Sequence, residues 1–472
     1  MANVDFAGIA VDTEQKITHV LDRLCLGPRP GDRQKVQRLG IEGYIQAQLN
    51  PNPASDPATL RNRLAEFPAL NLSPVELFEQ YTPGKNPSEA RRQAANKKQS
   101  ALVRETTYAR LLRAIMSPCQ LQELMTDFWF NHFNVYLSKG ITKLWVGVYE
   151  QTALRPHALG KFRNLLGATA KHPAMSFYLD NWRNTDPNSD QARGPYKGLN
   201  ENYARELLEL HTLGVNGGYS QADVESLTRI LTGWGLVREQ TRNHDGSGFR
   251  FEPARHDGDN KTLLGETILG GGLEEGESAL DLLAQHPSTA RHISYKLAEY
   301  FVSDVPPEGL VSSLADRFLA TDGDIKAVLR TLFESDEFWS DAYYQNKFKT
   351  PYQHVISLFR ATGIAPPPED ILQRIAGALN QLGMPLYRCS TPNGYDQIEA
   401  AWLNADAVIR RVGFARAAVN LTKKTSGEQP EASALKATLG DQFSAQTLSV
   451  VDSSPQGIRA ALLLGSPEMM YR

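Results

Sequence analysis

The residues best suited to chemistry lie in one stretch, LNENYARELLELHTLG, at residues 199–214. Its carboxylates are the type of group that acts as a general base, so Glu206 or Glu209 is predicted to serve a hydrolase or transferase. Arg205 would stabilise negative charge that develops during such a reaction, and Asn202 adds an amide that could bind substrate. The stretch therefore predicts a catalytic function for an anionic or sugar-like substrate.

Helical geometry separates these groups into two faces. At about 100° per residue, the carboxylates fall on one polar arc with Arg205, whereas His211 falls among leucines on the other side. Arg205 lies four residues from both Glu201 and Glu209, which is the spacing of a surface ion-pair ladder. A structural ladder and a catalytic arc both remain open for this helix.

The segment LQELMTDFWFNHFNVYL at 121–137 repeats this division. Glu123, Asp127 and Asn131 form a polar stripe, in which the two carboxylates could bind a metal and Asn131 could bind substrate. His132 lies on the apolar side, where a histidine is either a hydrogen-bonding core residue or a ligand or base.

A loop after residue 250 carries His256, Asp257 and Lys261, with His256 and Lys261 predicted as catalytic groups. The alternative is that Asp257 shapes a turn and that His256 is simply exposed. Neither interpretation is excluded by the pattern.

The segment QHPSTARHISYKLAEYFV predicts a further helix that begins near Pro287. Arg291 and His292 are predicted to bind substrate, because Arg291 and Lys296 could hold a phosphate, sulfate or carboxylate. The alternative is an ordinary surface ion pair.

A divalent metal is the one cofactor that these residue types suggest. The sequence has no phosphate-binding loop, no dinucleotide fingerprint, no nucleophile elbow and no HExxH helix. Its three cysteines form no CxxC pair, so reduced thiols are expected. Candidate metal ligands are carboxylates and imidazoles drawn from several segments: Glu201, Asp257, His132 and His211.

Composition excludes some partners and names none. The 472 residues carry a net charge of −3, which argues against a nucleic-acid-binding protein. Residues 85–115 have a local excess of positive charge. This run is interpreted as a solvated helix face, with docking of a polyanion or an acidic protein as the alternative.

The elements that must position these residues are mainly α-helical, because apolar residues recur at three and four positions. We predict one large helical body with a small β ribbon near 245–270, inside an insertion at 240–270. The polar loop at 183–198 is a candidate lid. A main domain at 1–422 and a C-terminal helical segment at 434–472 are predicted, joined by the polar stretch 423–433.

No apolar stretch approaches the length of a membrane span, and the first twenty residues lack the features of a signal peptide. A cytoplasmic location is therefore expected for the sequence as written. A periplasmic or secreted location applies if an export signal has been removed.

Eight segments follow one another along nearly the whole chain: RLCLGPRPGD, TDFWFNHFNV, LRPHALGKFRNLLGATAKHPAMSFYLDN, NENYARELLELHTLGV, YSQADVESLTRILTGWG, FRFEPARHDGDNKTLLG, HPSTARHISYKLAEYFV and PNGYDQIEAAWLNADAVIRRVGFA. Taken in this order, they resemble a bacterial family catalogued as domain of unknown function 1800. In the last of these, Tyr395 stands where the family often has a tryptophan.

The resemblance implies no settled activity. It implies that members are commonly exported and are encoded beside proteins that resemble the sulfatase and alkaline-phosphatase fold. The resemblance implies that the family's polar signature falls on these positions: Asn200, Glu201, Arg205, Glu206, Glu209, His211, Asn131, His132, His256, Asp257, Lys261, Arg291 and His292. Three hypotheses follow: an enzyme with a Glu, His and Arg cleft; a non-catalytic scaffold or partner of a phosphatase-like or sulfatase-like protein; and a redox-active metalloprotein.

Overall fold

A computed structural model describes residues 13–237 and 245–472. The first twelve residues, which bear on the expected absence of a signal peptide, lie outside the described residues, as do residues 240–244 of the predicted insertion. Within the described ranges the predicted mainly α class is confirmed.

The helices are connected by short turns. The first part of the chain forms α1 (Thr13–Leu24), α2 (Asp32–Leu49), α3 (Ala58–Ala65), α4 (Pro74–Tyr81), α5 (Glu89–Met116), α6 (Gln120–His132) and α7 (Thr142–Tyr149). The middle part forms α8 (Phe162–Lys171), α9 (Pro173–Tyr178), α10 (Asn202–Glu206), α11 (Gln221–Ile230), α12 (Leu273–Gln285), α13 (Pro287–Phe301), α14 (Glu308–Ala320) and α15 (Ile325–Glu334). The last part forms α16 (Pro351–Ala361), α17 (Glu369–Gln381), α18 (Glu399–Trp402), α19 (Ala405–Ser426), α20 (Ala432–Leu439), α21 (Ala445–Ser453) and α22 (Gln456–Leu464).

The predicted β ribbon is confirmed as two small antiparallel pairs. Strand β1 (Trp234–Leu236) pairs with β2 (Phe249–Phe251), and β3 (Lys261–Leu263) pairs with β4 (Glu266–Ile268). Strand β1 begins eleven residues before residue 245, where the ribbon was predicted to start. Its partner β2 lies inside the predicted range, so the ribbon extends further towards the N-terminus than predicted. Leu264 and Gly265, both with positive φ, make the two-residue turn between β3 and β4.

One contiguous cluster of buried apolar side chains extends from Ile17 on α1 to Met469 near the last helix. Helix α19 continues to Ser426, so the predicted linker 423–433 is shortened to residues 427–431. Helices α20 and α22 pack on α16 and α19. The division into a main domain and a C-terminal segment stays a prediction.

The basic residues of helix α5 lie in two different environments, solvent in its first half and the core in its second half. Its first half carries exposed cations, as predicted for a solvated face. Arg110, however, is only 5% exposed. Its guanidinium pairs with Asp127 and lies 3.1 Å from Glu150 Oε2. The surface interpretation is therefore wrong for the second half of the helix, because α5 enters the core there.

Aromatic rings enclose the Arg110 guanidinium. Its centre lies 5.2, 5.2 and 5.1 Å from the ring centroids of Phe130, Tyr352 and Tyr387. The Tyr387 hydroxyl also donates a 2.9 Å hydrogen bond to Glu150 Oε2. This buried assembly joins α5 to the turn after α7 and to the chain after α17.

The carboxylates proposed as a metal-binding pair are both occupied by arginines. Asp127 pairs with Arg110, and Glu123 Oε1 lies 2.5 Å from Arg155 NH1. Arg155 NH2 also lies 3.2 Å from Glu150 Oε1. These contacts correct the metal-binding prediction for Glu123 and Asp127, because each carboxylate already neutralises a buried guanidinium.

The first helices are fastened by residues far along the chain. His19 Nε2 donates to the Phe338 carbonyl at 2.7 Å, a bond between residues 319 positions apart. Arg23 NH2 donates to Asn346 Oδ1 at 2.8 Å, and Arg360 NH2 lies 3.0 Å from Asp32 Oδ2. The two ends of the described chain therefore share one packed region.

The three cysteines carry free, buried thiols, as expected. In the part of the chain that the structure describes, no helix is both long enough and apolar enough to cross a membrane.

Candidate functional site

Three imidazoles and one ammonium lie close together where α6, the turn after α10 and α13 approach one another. The ring of His132 lies 6.1 Å from that of His211 and 6.1 Å from that of His292. Lys296, one helical turn after His292, acts electrostatically on all three rings. We call these four residues the histidine–lysine cluster.

The local backbone departs from the predicted single helix over 200–214. Helix α10 has five residues, and a wider π-helical turn (Leu207–His211) continues it. π-helical turns are rare in proteins, and those that occur are often found at functional sites. Gly214 has a φ of +85°, so the predicted left-handed glycine after the helix is confirmed. The imidazole of His211 is buried in the core.

Two backbone carbonyls orient the rings. His132 Nε2 lies 3.1 Å from the His211 oxygen, and His292 Nε2 lies 3.2 Å from the Leu210 oxygen. A carbonyl only accepts, so Nε2 carries the proton in both rings and Nδ1 keeps a lone pair. His132 Nδ1 has no hydrogen-bond partner among the described residues. A Cβ on Gly214 would lie 3.0 Å from His292 Nδ1, so the absence of a side chain lets the Gly214 backbone pack closely against this ring.

Lys296 makes no hydrogen bond or ion pair with any residue in the described ranges. Burial lowers the pKa of its ammonium, an effect that Glu299 and Asp396 oppose. Burial and the Lys296 charge lower the pKa of His211 to about 3 and that of His292 to about 4. At neutral pH the cluster therefore holds neutral imidazoles beside a cation that has no direct counter-ion.

These low pKa values predict acid sensitivity. Below pH 6.5 the unfolded chain binds a proton at His292, but the folded chain does not until about pH 4. The free energy of unfolding therefore falls as the pH drops from 6.5 towards 4, by up to about 1.4 kcal/mol per pH unit from this residue. In His292→Gln, urea unfolding at pH 7, 6 and 5 should show a slope shallower by this amount. An unchanged slope would contradict the buried neutral state.

Asn131, predicted to bind substrate, instead holds a loop beside the cluster. Its Nδ2 donates to the Tyr395 oxygen, and its Oδ1 accepts from the Tyr395 nitrogen, both at 2.7 Å. Gly394, at φ +73°, permits this approach, because a Cβ there would lie 2.3 Å from the Asn131 backbone oxygen. The clamp fixes the loop that carries Asp396, whose charge acts on Lys296.

The predicted catalytic carboxylates form a second group, nearer to solvent. Glu206 is half-buried, and burial together with Glu209 raises its pKa. Glu209 Oε2 accepts a 3.2 Å hydrogen bond from the Tyr219 hydroxyl. Arg205 NH2 lies 2.9 Å from Glu201 Oε2, as the ladder interpretation predicts for that pair. Among these polar residues, Asn202 is exposed.

The loop after β2 forms a third group, in which the predicted residues are paired. His256 Nε2 lies 2.8 Å from Glu275 Oε1, and Lys261 Nζ lies 2.7 Å from Glu275 Oε2. Asp257 lies 3.4 Å from Lys261 Nζ and 3.0 Å from Arg229 NH1. The expected exposure of His256 is wrong: its side chain is 5% exposed, because α12 covers it.

The carboxylates of this third group are held in their charged forms. Burial alone would raise the pKa of Glu275, but hydrogen bonds from Lys261 and His256 hold it below its usual value. For Asp257, hydrogen bonds donated by Arg229 and by the Asp259 backbone nitrogen outweigh burial and hold the pKa below its usual value. The group thus fastens the β3–β4 ribbon to α11 and α12.

Arg291 stands apart from all three groups. Its guanidinium pairs with Glu308 on the surface, at 2.5 and 2.8 Å. The predicted site residues therefore divide among separate places. His132, His211 and His292 share the histidine–lysine cluster, the Glu206 region forms the second group, and His256, Asp257 and Lys261 share the third.

The predicted metal site is not assembled. In residues 13–237 and 245–472, no three or more His, Cys, Asp and Glu side chains form a group that could hold a metal ion. Glu201 neutralises Arg205, and Asp257 neutralises Arg229 and Lys261. His132 and His211 lie beside the Lys296 ammonium, which repels a cation. The four proposed ligands are thus divided among three groups.

Glu275, the acceptor at the centre of the third group, was not among the functional residues predicted from the sequence. The signal was present in the spacing Gly272-x-x-Glu275, since an acid at this position caps a helix start. Glu275 Oε1 accepts from the nitrogens of Gly271 and Gly272 at 2.8 and 3.1 Å. Glu150 carried no comparable signal beyond its isolation in an apolar run.

Comparison with known proteins gives one match. A family model described as "Protein of unknown function (DUF1800)" matches residues 19–471. No curated protein and no solved structure matches the chain. The match covers nearly all of the sequence, including every group described above, and the chain belongs to this family of proteins of unknown function, DUF1800.

Proposed function

We propose that this chain is a hydrolase or transferase that binds an anionic group of its substrate at Lys296. The observation that carries the proposal is an ammonium that is largely enclosed by the fold but has no ion-pair partner in the described ranges. An enclosed cation without a counter-ion is costly, and a phosphate, sulfate or carboxylate oxygen would supply one.

His292 is the proposed general base. Its Nε2 is committed to the Leu210 carbonyl, so the lone pair on Nδ1 is the one that can accept a proton. The low pKa keeps this atom unprotonated at neutral pH. This lone pair is the group that would take a proton from an attacking nucleophile such as water. This assignment places the base at His292, whereas Glu206 and Glu209 lie outside the cluster.

Lys296→Gln tests anion binding directly. Inorganic phosphate should raise the Tm of the wild type above that measured in sodium chloride of equal ionic strength, because a ligand that binds the native state stabilises it. We expect Lys296→Gln to bind phosphate at least tenfold more weakly. The matched control is Arg291→Gln, which removes a cation from the same helix but from a surface ion pair, and it should respond like the wild type.

Turnover tests the enzymatic part of the proposal. Aryl phosphate and aryl sulfate esters serve as chromogenic probes, and we expect the wild type to hydrolyse at least one of them. Loss of an electrostatic stabiliser lowers rates by about 10²–10³-fold in other enzymes, so Lys296→Gln should lower kcat/KM at least tenfold. An equal phosphate response in Lys296→Gln and the wild type would overturn the proposal.

A second candidate function is a non-catalytic scaffold. It is supported by the third group, in which His256, Asp257 and Lys261 are all paired and hold helices to the ribbon. The exposed basic half of α5 would then dock an acidic partner, for which the sequence resemblance suggests a phosphatase-like or sulfatase-like protein. Wild-type protein that neither binds phosphate nor turns over either ester would favour this candidate.

A further inference from the structure

A cleft of about 1200 Å³ lies between α8 and α12, and residues of α4 and the start of β2 also line it. Binding sites for small molecules are commonly about 300–1,000 Å³, so the cleft has room for a ligand of several rings. None of the residues predicted from the sequence as functional lines it. Its floor is apolar and includes Val148, Ala153, Ala168 and Leu273.

The charged side chains around the cleft neutralise one another. Arg163 Nε lies 2.5 Å from Asp281 Oδ1, and its NH2 lies 2.8 Å from Glu277 Oε2. Lys171 also pairs with Glu277. Gly167 makes the arrangement feasible, because a Cβ there would lie 2.7 Å from Arg163 NH1. No cation of the lining described here is left to bind an anionic group.

The remaining carboxylates of the lining are also engaged. Glu76 Oε2 accepts from the Ser73 nitrogen at 2.8 Å in a helix cap, and Asp245 Oδ1 accepts from the Ser247 nitrogen at 2.9 Å. Among the lining residues that the structure describes, two cations stand against four carboxylates, a balance that repels anions. Because each carboxylate already has a partner, the lining offers hydrogen-bond acceptors and not an open cation site.

His172 is one of the lining residues, and one of its ring nitrogens has no partner among the described residues. Its Nδ1 accepts from the Ala174 nitrogen at 3.1 Å, which caps α9 and leaves the proton on Nε2. That Nε2 has no hydrogen-bond partner among the described residues, although His172 is only 7% exposed. A buried N–H without an acceptor is costly, and a ligand hydroxyl or ether oxygen would accept from it.

We propose that the cleft between α8 and α12 binds a neutral polyhydroxylated ligand of the oligosaccharide class. Sugar hydroxyls both donate and accept, so they match engaged carboxylates, a paired guanidinium and a neutral imidazole N–H. Their ring faces match the apolar floor. This site is separate from the histidine–lysine cluster and does not depend on the function proposed there.

Saturation-transfer NMR on the full chain tests this proposal with three neutral probes: maltotriose, cellotriose and N,N′,N″-triacetylchitotriose. Trigalacturonate is the anionic comparison. We expect transfer to at least one neutral trisaccharide and at least tenfold weaker binding of trigalacturonate. In Ala168→Trp, which fills the cleft, the signal should be lost. Asn164→Trp, at an exposed position on the same wall, gives the same test without entering the core.

His172→Asn is the matched variant for the imidazole. Asparagine keeps the acceptor that caps α9 but removes the Nε2 donor, so the trisaccharide should bind about threefold to tenfold more weakly while the helix is retained. Lys296→Gln should bind it like the wild type. The proposal is overturned if no neutral trisaccharide binds, if trigalacturonate binds equally well, or if both tryptophan variants keep the wild-type signal.

Discussion

Lys261→Met should lower the free energy of unfolding by about 3–5 kcal/mol, as expected when one partner of a buried ion pair is removed. Lys261 Nζ lies 2.7 Å from Glu275 Oε2 and also contacts Asp257, and both carboxylates are at most 4% exposed. Without the ammonium, each keeps fewer partners in a site that water does not reach. Urea unfolding followed by circular dichroism measures the difference.

Arg205→Met is the control for Lys261→Met. It also removes a cation from an ion pair, but the Arg205 and Glu201 side chains are 42% and 40% exposed. Exposed pairs contribute about 0–1 kcal/mol, so this variant should stay close to the wild type. A loss below about 1 kcal/mol for Lys261→Met would show that the third group does not hold the ribbon.

A comparable loss, again about 3–5 kcal/mol, is expected for Arg110→Met. This variant leaves Asp127 and Glu150 buried without the guanidinium that neutralises both, and it removes the cation from three aromatic rings. Burial already raises the pKa of Asp127, and Arg110 opposes this effect, so the pKa of Asp127 should rise further without the guanidinium. The folded variant binds protons more readily, so the loss should be smaller at pH 5 than at pH 8.

The control on the same helix is Arg92→Met, at an exposed position in the basic half of α5. Surface substitutions of this kind usually change stability by less than about 0.5 kcal/mol. Unfolding curves at pH 5 and pH 8 for both variants separate the two halves of the helix. Equal, small effects would contradict the buried assembly around Arg110.

Hydrophobic periodicity predicted the helical class correctly, because the buried face of an amphipathic helix appears in the sequence as apolar residues three and four positions apart. It could not show where α5 passes from solvent into the core. Arg91 and Arg110 are both arginines in the same basic helix. Of the two, Arg110 pairs with carboxylates from α6 and from the turn after α7. Pairing across such distances depends on tertiary packing, which charge counts do not record.

Helical geometry placed His132 and His211 on apolar faces, away from the carboxylates, and both are buried. It could not predict that α13 would bring His292 and Lys296 to the same place. It also assumed a regular helix through residue 214, whereas the π turn at 207–211 interrupts it. Proximity between groups on three separate elements is a property of the fold, and no spacing within one segment predicts it.

Helix α1 is bonded to residues that the ribosome adds much later, such as Phe338, and this affects when the chain can complete its fold. His19 cannot meet its acceptor until residue 338 has left the ribosome, 319 positions later. At roughly 5–20 residues per second, that delay is on the order of 16–60 s. During this interval α1 can pack against α2 and α6, but His19 is without its native partner. The chain therefore completes its core late, which favours slow folding and prolonged exposure of apolar surface to chaperones.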